Sequence, residues 1–107
     1  MGLITSSIRQ QYLNNYRLDL ESKIMKINQE KLRLASSVNE LISFGGNMDP
    51  QSPEAKQIEQ RKERLELVEK RLDDQIQRYQ TESKMVEAEY QQCKEMVDKN
   101  IQYTYGK

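Results

Sequence analysis

Ser43-Phe44-Gly45-Gly46-Asn47-Met48-Asp49-Pro50-Gln51-Ser52-Pro53-Glu54 holds all four glycines and prolines found away from the ends of this 107-residue chain. Gly45 can take the left-handed conformation that ends a helix, and Gly46 loosens the exit. Pro50 disfavours helix at Asp49. Ser52-Pro53-Glu54 then restarts one: a capping hydroxyl, a proline at the first helical position, and an acid near the positive end of the dipole. Stop and start signals this close together predict a reversal of direction. The turn spans residues 44–52 and pivots on Gly45, Gly46, Pro50 and Pro53.

Outward from the turn, both flanks read as helix. The first spans about 5–43, starting where Thr5, Ser6 and Ser7 offer capping hydroxyls. Its apolar stripe is Leu13, Tyr16, Leu20, Ile24, Ile27, Leu34, Val38 and Leu41, a spacing of about 3.5 residues per turn that keeps one seam toward a partner helix. Lys31 occupies the missing step, with Leu32 beside it. The second helix spans about 53–102, with a short tail after it. Its seam is Ile58, Leu65, Val68, Leu72, Ile76, Tyr79, Val86 and Tyr90. The stripe runs on through Cys93, Val97 and Ile101 at about 3.6 residues per turn, less strictly heptad than the first. The predicted fold is all-α: one domain, an antiparallel coiled-coil-like hairpin of two long amphipathic helices, oligomeric in use.

Folding at the turn pairs Val38 with Ile58, Ile24 with Leu72 and Leu13 with Val86. The second helix then outruns the first by about three turns. That overhang carries Cys93, Met96, Val97, Ile101, Tyr103 and Tyr105, the candidate partner-binding residues. A two-helix hairpin buries little surface per residue, so association also serves stability.

Composition excludes several function classes. The 17 basic and 17 acidic residues cancel. Residues 1–44 carry six Lys/Arg and four Asp/Glu, and residues 45–107 carry eleven and thirteen. Neither segment has the one-signed field that nucleic acid binding needs. No apolar run approaches the roughly 20 residues of a membrane span. The first residues lack the layout of a cleaved signal peptide, so the expected location is cytoplasmic, or outside by export without one. The chain has no histidine, and its one cysteine cannot build an ordinary zinc site. Asp73 and Asp74 are adjacent on a helix and point apart, and no phosphate-loop spacing is present. No catalytic residue, cofactor or metal ligand is expected. Cys93 reads as a small apolar residue on the packing face, with a reactive or intermolecular thiol as the alternative. Met1-Gly2-Leu3-Ile4-Thr5-Ser6 satisfies a myristoylation pattern, but no basic cluster stands after it to supply a second membrane signal, and the ordinary reading is a helix start.

Pro50-Gln51-Ser52-Pro53 resembles the P-x-x-P turn of type III secretion needle subunits, and Asp98-Lys99-Asn100-Ile101-Gln102-Tyr103 resembles their C-terminal segment. This resemblance implies polymerisation into a tube, with the second helix inward, and export without a cleaved signal. Phe44-Gly45-Gly46 is similar to the turn of the WxG-type small secreted hairpins, with Phe in place of Trp. That family's C-terminal pattern of Tyr and an acid four residues on is not matched: Lys94 stands at that spacing from Tyr90, and Ser83 from Tyr79. The expected function is structural self-assembly, as an oligomer, filament or secretion-apparatus subunit. The alternatives are an adaptor or export chaperone that binds one helical partner, or a small exported hairpin of the WxG type.

Overall fold

The computed structural model describes the backbone of residues 2–105 and the side chains of residues 2–102. It is an antiparallel helical hairpin, with α1 at Leu3–Gly45 and α2 at Pro53–Tyr105 and no strand among the described residues. Packing divides into two units, Met1–Ile24 with Arg78–Lys107, and Met25–Gln77.

Helix α1 starts two residues earlier than its hydroxyls suggest. The Ser6 amide already donates to the Gly2 carbonyl at 3.0 Å, and Ser6 is wholly buried rather than exposed as a cap. At the other end α1 runs through Gly45, and no glycine among the described residues has positive φ. The left-handed stop expected at Gly45 is therefore absent. The Met48 amide donates to the Gly45 carbonyl at 3.2 Å, satisfying a terminal acceptor by a tight turn instead. Asp49 organises the rest of the turn. Its carboxylate accepts from the Gln51 amide at 3.0 Å, and its carbonyl from the Ser52 amide at 2.9 Å and hydroxyl at 2.8 Å. Ser52 Oγ then accepts from the Ala55 amide at 3.2 Å, the N-cap expected before Pro53. Helix α2 continues regularly to Tyr105, so no tail begins at 103.

Burial along both helices repeats every seven residues. On α2 an unbroken series of buried and half-buried positions runs through Ile58, Lys62, Leu65, Glu69, Leu72, Ile76, Tyr79, Ser83, Val86, Tyr90, Cys93, Val97 and Asn100, with Asp73, Glu82 and Glu87 half-buried beside it. The steps alternate four and three throughout, so α2 is as strictly heptad as α1. Val68, expected in the seam, is 40% exposed, and Glu69 holds the inward position. The period of the whole seam overrides the polarity of one residue. The other expected seam residues are all buried or half-buried.

The tightest packing lies in the first unit, where Leu13, Leu20, Val86 and Cys93 form a core flanked by Tyr16, Tyr79 and Tyr90. Near the turn the register differs from expectation. A Cβ on Gly45 would stand 3.4 Å from Ile58 Cγ2, so Ile58 meets Gly45, about two turns of α1 beyond Val38. The extension of α1 to Gly45 moves the first rung of the hairpin toward the turn.

Substitutions on both helices test this packing. Leu20→Ala empties a site only 2% exposed and is expected to cost about 2–4 kcal/mol in urea unfolding, whereas Val68→Ala stays within about 0.5 kcal/mol. Gly45→Ala is expected to stabilise the hairpin by roughly 0.5–1 kcal/mol, because the backbone is helical there and the added methyl meets Ile58 at ordinary contact distance. A left-handed Gly45 would make the same change destabilising.

Candidate interaction surface

Polar contacts between the helices pin the seam in each unit. In the first, Arg17 Nη1 donates to Glu87 Oε2 at 2.8 Å while Nη2 donates to Asn14 Oδ1 at 2.6 Å. The Arg17 guanidinium also lies 4.5 Å from the Tyr90 ring centroid. Gln91 Nε2 donates to the other oxygen of Glu87 at 3.0 Å. These donors, Arg17 foremost, hold the Glu87 carboxyl below its ordinary value, and the hydrogen bond to Glu87 raises the Arg17 guanidinium. The Tyr16 hydroxyl donates to Glu82, which raises its pKa, chiefly through that bond. In the second unit Lys31, the missing step of the apolar stripe, forms an ion pair with Asp73. The pKa of its ammonium is raised by that contact. These charged groups serve helix pairing. Among the described residues no three His, Cys, Asp or Glu side chains stand together to hold a metal, and no helix is long and apolar enough to cross a membrane.

The overhang of α2 is shorter than the sequence predicts. Cys93 and Val97 are buried, and the Cys93 thiol donates to the Ser6 carbonyl at 3.0 Å. The early start of α1 supplies this cover. Cys93 is thus a small packing residue against a small partner, Ser6, which allows close approach. Leu3 lies three residues before Ser6, level with about residue 96, so α2 extends about nine residues, or two and a half turns, past the start of α1. Met96 and Ile101 remain exposed. Tyr103 and Tyr105 fall outside the residues whose side chains are described.

Exposed aliphatic residues also stand on α1, away from its seam. Leu13, Leu20 and Ile27 face α2; five residues after each come Leu18, Met25 and Leu32, exposed by 50%, 63% and 73%. Five residues rotate a helix by roughly 140°, so this second repeat points away from α2. Ile4, two heptads before Leu18, extends it and is also exposed. The signal was present in the sequence as a second seven-residue spacing. Helix α1 is apolar on two opposed faces. Its charge content agrees: ten of 43 residues are charged in α1, against 22 of 53 in α2.

At the turn, Leu41, Phe44, Met48 and Ile58 line an open groove together with Glu54, Arg61 and Arg64. Phe44, one residue from the expected pivot, is largely exposed there. Neither a family model nor a curated protein nor a solved structure matches this chain.

The lowered Glu87 carboxyl sets an acid dependence. Its folded value lies below its ordinary 4.5, so its contribution is fully present above pH 4.5 and is lost as pH falls through the folded value. Glu87→Gln is expected to lower the melting temperature at pH 7 and to flatten its decline below pH 4.5, read by circular dichroism across a pH series.

Proposed function

We propose that this chain is a non-enzymatic structural subunit whose hairpins associate through their helices. The observation that carries the reading is the exposed heptad of Leu18, Met25 and Leu32 on a helix already paired through its opposite face. A solvated outer face gains nothing from large aliphatic side chains repeated at seven-residue spacing, whereas a helix packed on both sides needs them. In this reading α2, with its charged outer face, covers the assembly. The needle-type resemblance supports an open-ended form, a filament that leaves the cell without a cleaved signal.

The groove at the turn supports a second reading, an adaptor or export chaperone for one helical partner. Its apolar residues, with Glu54, Arg61 and Arg64 beside them, suit the apolar face of an amphipathic helix.

Sedimentation of the purified chain across a wide concentration range separates these readings. Self-association is expected to give masses that are multiples of 12.7 kDa, with filaments under the electron microscope if assembly is open-ended. A chain that stays at 12.7 kDa at the highest concentration, and gains thermal stability only when a co-purified helical protein is returned, is the adaptor.

A further inference from the structure

We infer that the first two turns of α1, residues 3–10, form a strap that lifts from α2 while the rest of the hairpin stays folded, and so gates Cys93 and Val97. This does not rest on the self-association reading. Strap and strip lie within one packing unit, Met1–Ile24 with Arg78–Lys107.

What holds the strap is slight. Within it only Leu3, Ser6 and Gln10 are buried or half-buried, and Leu3 alone among them is a large apolar residue. Ile4 and Ile8 are 76% and 64% exposed and add little to the attachment. The ion pair of Arg9 Nη2 with Glu89 Oε2, at 3.8 Å, joins two half-exposed side chains, a kind of contact that contributes little in water. The firm core begins one turn later, at Leu13, with Leu20 and Val86. A helix opens locally where few apolar contacts hold it, and here that boundary falls between Gln10 and Leu13.

The closed position also carries a cost. Ser6 is wholly buried, yet its hydroxyl has no hydrogen-bond partner. An unpaired buried hydroxyl destabilises the closed strap, and lifting returns it to water. No acidic residue stands in the first turn of α1 to favour the start of the helix there.

Beneath the strap lies an apolar strip of α2. Cys93 and Val97 are buried, and the Cys93 thiol donates to the Ser6 carbonyl at 3.0 Å, so it faces the strap. Met96 and Ile101 flank this pair and are already exposed. Lifting the strap joins all four into one apolar strip at three- and four-residue spacing, on one side of α2. The strap is thus a contact of the chain with itself that keeps half of that strip closed.

Cys93 is the only cysteine of the chain, so its reaction with dithiobis(nitrobenzoate) in the folded full-length protein reads the opening directly. Labelling is expected without denaturant, at a rate that changes little in low urea, because lifting the strap exposes little surface. Ser6→Ala removes the unpaired hydroxyl and is expected to slow labelling at least about fivefold, whereas Leu3→Ala speeds it several-fold. Leu20→Ala weakens the core beyond the strap and leaves the rate without denaturant within about twofold. Hydrogen exchange read by mass spectrometry is expected to show protection of amides 7–10 at least tenfold below that of amides 13–20, with amides 90–97 of α2 still protected. A labelling rate that rises with urea at the slope of global unfolding, or that Leu20→Ala raises in step with lost global stability, overturns the strap. So does a thiol that stays unreactive until the whole chain unfolds, or a rate unmoved by both Ser6→Ala and Leu3→Ala.

Discussion

The seven-residue repeat shared by α1 and α2 is the constraint on which the other features depend. Two helices remain in contact along many turns only if each presents a side chain inward every three and four residues in alternation. On α2 that alternation continues from Ile58 to Asn100 without a skip. It holds Glu69 inward where Val68 would be the more apolar choice, and it brings Lys31 into the seam beside Asp73. Lys31 and Arg17 each pair with an acid across the seam. The Arg17 guanidinium has Glu87 and the Tyr90 ring on α2 and Asn14 on its own helix around it.

The two helices divide the work unequally. Helix α2 carries 22 charged residues of 53, and its outer side is mostly charged, with Leu67 and Met85 among its exposed apolar residues. Helix α1 has two apolar faces and few charges between them. This difference is what turns a plain hairpin into a candidate building block. A hairpin alone buries modest area per residue, and in the proposed association a second helix packed on α1 would add to its stability. The proposed inside is α1, the reverse of the arrangement that the needle-type resemblance implies.

Much of the candidate surface was legible in the residues, but its place was not. The spacing of Leu18, Met25 and Leu32 is as regular as that of Leu13, Leu20 and Ile27. Two opposed apolar stripes on one helix compete for the same reading, and only contact with α2 shows which is already covered. The overhang shows the converse. Cys93 and Val97 read as free because the hydroxyl-rich segment looks like the start of α1. Burial of Ser6 against Cys93 draws the start of the helix forward and covers them.

The sequence by itself determined the two helices, their reversal and the restart at Ser52-Pro53. Those depend on glycine, proline and a capping hydroxyl acting over a few residues, and local physics needs no partner. The tertiary structure alone decided the conformation of Gly45, the rung at which Ile58 packs, and which apolar stripe of α1 is spent inside the chain. Those depend on what stands opposite each residue, and the order of residues along a chain does not contain its opposite side.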